Sequence, residues 1–355
     1  MKIRIGVLGA GYWGVHFIRN LMRHSQVELV AIVDSHPEKL TYCQKKFDLD
    51  QDKVTLTTDW ETIKNLDNLQ GLVVATPAST HYSLILDALN CGYHVLAEKP
   101  LALDANECRE LTKLAASKNL QLLVDHTYLF NPIIEKAHKI IQSGQLGELR
   151  YGYATRTHLA PVRQDVDVLW DLAIHDIAIF NYCLGQTPDK VQARGRVWLQ
   201  PDKTVNISSQ VGLADLAWLT LFYPDGFQAE IHLSWLNPDK QRRLSLVGSK
   251  GSLIFDEMSQ DAPLTLHQSY LEQEGEIFTP VRQSPQVIVV EAVESLSQVC
   301  DRFIDNIINH QQDCFSSGYV GTELVNILKC LTLSMEQQGK IITVENFALE
   351  GEASC

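Results

Sequence analysis

A chain of 355 residues that is 45% hydrophobic is long enough for two domains, each with its own core. The formal net charge of −13, from 43 acidic and 30 basic side chains, disfavours nucleic acid and anionic membrane surfaces and points to small molecules as partners. No apolar run reaches the length of a membrane span, and the first strand-like run starts at Ile3, which leaves no room for a signal peptide and predicts a cytoplasmic protein.

The chain opens on Ile3, Ile5, Val7 and Leu8, a β-rich run that ends in Gly9, Gly11 and Gly14, spaced G-x-G-x-x-G. A strand entering a helix through such glycines is an anion seat. Gly9 permits the tight turn, Gly11 lets the backbone approach a pyrophosphate, and Gly14 lets the helix sit close to the strand. Tyr12 and Trp13 fill the loop's variable positions and join the cofactor-binding set. A second strand, Glu28 to Val33, ends in Asp34, which suits a ribose hydroxyl and repels a 2′-phosphate, so NAD is favoured over NADP.

Apolar strand-like runs then alternate with helical stretches as far as Asp125: VTLT, GLVVAT, HVLAE and QLLVD follow the first two. Such alternation predicts a parallel sheet covered by helices, with ligands beyond the carboxyl ends of its strands. The residues at those ends are Thr76-Pro77, Glu98-Lys99-Pro100 and His126. Asp104 looks like a helix cap. Asn131-Pro132 opens an amphipathic helix that stops at Gly144, and the domain crossing is expected in 126–147, dividing the chain into a dinucleotide-binding domain, 1–125, and a second domain, 126–355.

Beyond the crossing, adjacent strands are expected at Val191–Leu199, Leu213–Tyr223, Phe227–Trp235, Arg243–Val247 and Gly251–Phe255, with hairpins at 224–226 and 248–251. That pattern predicts a mixed, mainly antiparallel sheet and an α+β second domain. Late helices are expected at Val287–Asn309 and Gly321–Gln338, followed by a short strand, IITV. The eight cysteines are scattered, with no C-x-x-C pair, so neither a disulfide framework nor a zinc site is expected.

Two stretches carry candidate chemistry. Lys99, at a strand end, offers an ammonium that can hold a substrate hydroxyl and stabilise an alkoxide. In Leu169–Phe180, Asp171 and His175 are four apart on a helical pattern, so a histidine base and an orienting carboxylate share a face. Asp176 lies off that face and is expected to pair or cap locally. Trp170 reads as a pocket wall or as core, and Arg156 and Arg163 as solvated positions or as cations for an anionic substrate group. Hydride transfer with Lys99 as electrophile needs no metal.

GAGYWG, ATPASTHYSLILDALNCGYHVLAEKPLAL and DLAIHD together resemble the family named after glucose-fructose oxidoreductase, inositol 2-dehydrogenase and MocA, carrying its nucleotide loop, its T-P-x-x-x-H to E-K-P segment and its D-x-x-x-H motif. The resemblance implies a Rossmann domain followed by a domain with a large open-faced sheet, through which homodimers or homotetramers form. It implies Lys99, Asp171 and His175 as the catalytic set, Thr76, Pro77, His81, Glu98 and Lys99 near the cofactor, and Tyr128 and Asn131 near the nicotinamide or substrate. VDVLW before Asp171, and Ala173, depart from the family's usual glycines. The expected activity is NAD-dependent oxidation of a secondary hydroxyl, or reduction of the ketone, in a sugar, cyclitol or nucleotide sugar. An NAD-dependent glycosidase or epimerase, a non-catalytic dinucleotide-binding regulator, and a reductase of a non-sugar carbonyl are the alternatives.

Overall fold

The computed structural model describes residues 2–64, 66–159, 161–204, 207, 211–311 and 315–345. The chain divides into two compact units. Among the described residues, one contains those up to Phe130 together with Val293–Val325, and the other contains Asn131–Ala292 and residues 326–345. The first division falls within the expected crossing region, but the return of Val293–Val325 to the first unit differs from a single division at residue 125.

The first unit is built on β1 (Ile3–Leu8), β2 (Val27–Val33), β3 (Thr55–Thr57), β4 (Gly71–Val74), β5 (His94–Glu98) and β6 (Leu122–Asp125). All six strands are parallel, in the order β3-β2-β1-β4-β5-β6. Strand order reverses between β1 and β4, so the crevice that receives a dinucleotide in such sheets opens at the carboxyl ends of these two strands. β4 and β6 are buried along their whole length, and β1, β2 and β5 at all but one residue, because helices cover both faces. These helices are α1 (Tyr12–Arg23), α2 (Pro37–Phe47), α3 (His81–Asn90) and α4 (Ala105–Ser117). On α1, Val15, Ile18 and Leu21 form the buried stripe. Asp104 caps α4 by accepting from the Asn106 N–H at 2.8 Å.

The second unit begins with α5 (Pro132–Gln142), then β7 (Leu149–Leu159), and α6 (Ile174–Leu184). The strands that follow are β8 (Lys190–Arg196), β9 (Leu216–Phe222), β10 (Gln228–Ser234), β11 (Leu236–Gly248), β12 (Ser252–Asp256) and β13 (Leu264–His267). A separate hairpin of β14 (Tyr270–Glu274) and β15 (Ile277–Val281) precedes β16 (Gln286–Val287). The nine-stranded sheet runs β16-β13-β12-β11-β7-β10-β9-β8-β17, where β17 is Ile342–Thr343. Only β7 and β10 pair in parallel, so the sheet is mixed and mainly antiparallel.

Alternation along β7 sends Gly152, Ala154 and Arg156 to one face and Tyr151 and Tyr153 to the other, which is exposed. On the covered face a Cβ at Gly152 would lie 2.5 Å from the Phe180 ring, so glycine there lets α6 pack close to the sheet.

The last helices are α7 (Ser295–Asn309) and α8 (Gly318–Glu336), and the division between the units falls within α8 at Val325/Asn326. The expected helix start at Val287 is corrected: Val287 pairs in β16 and residues 288–294 are not helical. The run VIVV is β-branched, which favours extended backbone over helix. No helix among the described residues is long and apolar enough to cross a membrane.

Candidate functional site

In the first unit, β1 ends directly in the glycine loop. Gly9 has φ +97°, and a Cβ there would lie 2.4 Å from the Ala75 carbonyl oxygen. A Cβ on Gly14 would lie 1.9 Å from the Gly9 carbonyl oxygen, so the third glycine lets α1 close onto the loop. Gly11 is different: a Cβ there would meet nothing within 4 Å. Its missing side chain leaves open space at a helix N-terminus, the cradle a pyrophosphate requires.

Asp34 holds this loop in shape. Its Oδ2 accepts from the Ala10 N–H at 2.8 Å, and its Oδ1 accepts from the His36 N–H at 2.9 Å. Burial alone would raise its pKa, but those two N–H groups, with the nearby Lys39 charge and the His36 ring, hold it below the usual carboxylate range. Its roughly four lone-pair sites are also met by the His36 ring at 3.1 Å and Lys39 Nζ at 3.4 Å, so a ribose hydroxyl would take the place of one of these side chains. Tyr12 is 75% exposed and its ring stands edge-on to Trp13, with centroids 5.4 Å apart. The residues present therefore fit a dinucleotide.

At the end of β4, the Thr76 hydroxyl accepts from Thr80 at 2.8 Å, and Pro77 is exposed. His81 is buried, with Nδ1 2.8 Å from the Pro100 carbonyl and Nε2 2.9 Å from the Thr76 carbonyl. The ring thus ties the β4 turn to the β5 turn. The peptide between Lys99 and Pro100 is cis, and Lys99 is half-buried at the end of β5.

Glu98 and Asp125 sit opposite one another at the ends of β5 and β6. Both are buried, and burial raises both carboxyl pKa values, Asp125 to about 6 and Glu98 well above the ordinary range. Beside them His126 is neutral. The Ser316 hydroxyl donates to the Val124 carbonyl at 2.7 Å, so it accepts from His126 Nδ1–H at 2.9 Å, and burial pushes the imidazole down to about 3. Sequence reasoning placed Glu98 and His126 at strand ends but missed Asp125. The available signal was that QLLVD also ends at the binding edge of the sheet.

In the second unit, Asn131 caps α5, its Oδ1 accepting from the Ile133 N–H at 2.9 Å, while Tyr128, in the first unit, is half-buried. The expected single helix over Leu169–Phe180 is a π-turn, Leu169–Ala173, leading into α6. Such widened turns often mark functional sites. Asp171 lies on the π-turn and half-buried His175 follows at the start of α6. Two side chains anchor Asp171: Arg163 Nη1 donates to Oδ1 at 3.1 Å, and Trp235 Nε1 donates to Oδ2 at 3.2 Å. Arg163 also grips Asp165 through Nε, at 3.0 Å, and Nη2.

The structure gives three candidate substrate residues the following partners. Arg163 divides its guanidinium between Asp165 and Asp171. Arg156 is 2% exposed and forks onto Asp176, because its place on the covered face of β7 forces a buried partner. Trp170 is core, 1% exposed, with its indole N–H donating to Thr332 at 2.9 Å. Trp235, the last large side chain after β10, was not singled out from sequence; a tryptophan there has no signal that reveals its distant carboxylate.

Residues 3–126 match the oxidoreductase family with an NAD-binding Rossmann fold, and residues 134–254 match the GFO/IDH/MocA C-terminal domain. The chain is 26% identical over 259 residues to an inositol 2-dehydrogenase of Rhizobium meliloti, covering 71% of this chain and 75% of the relative. It is 27% identical over 255 residues to a UDP-N-acetylglucosamine 3-dehydrogenase of Acidithiobacillus ferrooxidans, covering 69% and 71%. In fold it is similar to GenD2 from gentamicin A biosynthesis, solved in complex with NAD, with a TM-score of 0.79 at 19% identity over 97% of each chain. The glycine loop closed by Asp34, the six-stranded Rossmann sheet and the mixed second sheet, with matches across both, place this chain in the Gfo/Idh/MocA family of NAD-binding oxidoreductases.

Proposed function

We propose that this chain is an NAD-dependent dehydrogenase or reductase acting on a secondary hydroxyl, or the matching ketone, of a sugar, cyclitol or nucleotide sugar. The observation that carries the reading is the fixing of Asp171 by Arg163 and Trp235 just ahead of half-buried His175. A carboxylate held in this way can orient an imidazole or a substrate hydroxyl without moving. The inositol and nucleotide-sugar dehydrogenases among its relatives support the substrate class.

In the oxidative direction His175 takes the hydroxyl proton, Asp171 orients it, and Lys99 steadies the oxygen as negative charge develops. Bound NAD supplies the hydride acceptor. In this reading Asp34 accepts from the adenosine ribose and Gly9, Gly11, Tyr12, Trp13 and Gly14 form the pyrophosphate seat; the family's motifs imply Thr76, Pro77 and Glu98 as cofactor residues and Tyr128 and Asn131 as nicotinamide or substrate residues. The exposed sheet face carrying Tyr151, Tyr153 and Trp218 is the surface through which a homodimer or homotetramer would form.

A screen of cyclitols, sugars and nucleotide sugars with NAD and NADP separately, followed by nicotinamide absorbance, tests the proposal. Net accumulation of NADH is expected with at least one polyol. Turnover without net NADH would instead indicate a transient-oxidation glycosidase or epimerase. Lys99→Ala and His175→Asn should each lower kcat by about 10²-fold or more while NAD still binds; near-normal turnover in either variant removes that residue from the mechanism.

A further inference from the structure

The ends of β5 and β6 place two carboxyl groups side by side. Glu98 and Asp125 are register partners in a parallel pair, so their side chains leave the same face of strands spaced roughly 4.8 Å apart. Each uses one oxygen conventionally: Glu98 Oε2 accepts from the Lys99 N–H at 3.1 Å, and Asp125 Oδ1 accepts from the Thr127 hydroxyl at 2.9 Å. The other oxygens, Glu98 Oε1 and Asp125 Oδ2, are buried, and no N–H or neighbouring hydroxyl reaches either. Two buried acceptors facing one another repel when both groups are ionised, and they bond when one is an acid.

We propose that Glu98 and Asp125 hold one proton between them, Glu98 Oε1–H donating to Asp125 Oδ2, so that the pair beside Lys99 carries one negative charge instead of two. Burial disfavours the charged form of both carboxyls, of Glu98 most strongly, and the placing of the proton on Glu98 is part of the proposal.

The other titratable groups around the pair add no competing charge. His126 is neutral, and burial together with the Asp125 charge keeps the Cys300 thiol of α7 protonated. Lys99 is the cation that acts on both carboxyls. The pair is therefore a positioning device for Lys99: a single buried counter-charge next to the ammonium. Its value to catalysis rests on the reading of Lys99 given above, whereas the shared proton does not.

The first experiment is denaturant unfolding of the NAD-free chain as wild type and as Glu98→Gln, from about pH 6 to about pH 8, above the ordinary glutamate range. A native state that keeps a proton the unfolded chain releases loses stability as pH rises. The unfolding constant of wild type should therefore climb relative to the variant, by up to about tenfold per pH unit. Parallel curves overturn the shared proton.

Should Glu98→Gln not fold, infrared spectra of wild type carrying isotope-labelled glutamate decide the matter. A carboxylic-acid C=O band persisting at about pH 8 is expected, and its absence overturns the proposal. The positioning role is read without any substrate, from the pH dependence of Lys99 acetylation by acetic anhydride, mapped by peptide mass spectrometry. Glu98→Gln should follow wild type, because it keeps the single charge. Glu98→Gln with Asp125→Asn should be modified at lower pH; coincidence of all three curves overturns the positioning role. If Lys99→Ala retains turnover while the stability slopes differ, the functional reading fails and the shared proton stands.

Discussion

Arg156 donates through Nε and Nη2 to the two carboxylate oxygens of Asp176, each at 2.9 Å, beneath the covered face of the second sheet. With 2% and 4% side-chain exposure, this is a fully desolvated, bidentate pair linking β7 to α6, the helix that carries His175. Breaking such a pair leaves a buried charge unmatched. Arg156→Met should lower unfolding free energy by about 3–5 kcal/mol, and adding Asp176→Leu should recover much of it. Urea unfolding of the single and double variants measures both. A substrate role for Arg156 would instead show as lost turnover at unchanged stability.

Asp34 holds the backbone N–H groups of Ala10 and His36 and is the proposed partner of the ribose. Asp34→Ala should weaken NAD by about 10- to 100-fold, as expected for loss of charge-assisted hydrogen bonds, and should narrow the gap between NAD and NADP. Fluorescence titration with NADH and NADPH measures both. Because its folded pKa is depressed, Asp34 contributes stability that is present above the ordinary carboxylate range and lost as pH falls through the depressed value. Asp34→Asn should flatten that acid-side loss.

Trp235 and Arg163 position Asp171 without being candidates for proton transfer themselves. Trp235→Phe keeps the ring and removes one neutral donor, so kcat should fall by roughly tenfold or less. Arg163→Met removes a charge-assisted donor and leaves Asp165 unmatched as well, so about tenfold to hundredfold is expected. Both losses should appear in kcat more than in KM. Equal losses in KM alone would make these residues substrate contacts.

His126 is neutral in the folded chain and cannot take a proton until about pH 3, whereas in the unfolded chain it titrates near 6.5. Between those limits the unfolded state binds more protons, so stability falls as pH drops from 6.5 toward 3. His126→Asn should reduce that slope by up to about tenfold in the unfolding constant per pH unit. Unfolding midpoints of the two chains between about pH 4 and about pH 6 test it.

The first sheet was legible because β1, β2, β4, β5 and β6 are buried at all or all but one of their residues and read as largely apolar runs. The loop was legible because three glycines perform three steric tasks at fixed spacing. The hairpin of β14 and β15 was not, since apolar and polar residues alike are exposed there and do not alternate. Arg156 was half legible: its shared parity with Gly152 and Ala154 already places it on the covered face, but its partner lies 20 residues away.

The amino-acid sequence by itself determined the fold class and the glycine loop closed by Asp34, because both depend on patterns within a few tens of residues, whereas the π-turn that carries Asp171 ahead of α6 emerged only in the structure. Only the tertiary structure decided who holds whom: Trp235 and Arg163 on Asp171, Asp176 on Arg156, Ser316 on His126, and Asp125 against Glu98. It also returned Val293–Val325 to the first unit. The reason is physical. A buried polar group takes whichever partner the packed chain delivers within about 3 Å, and that partner leaves no mark on the local sequence around it.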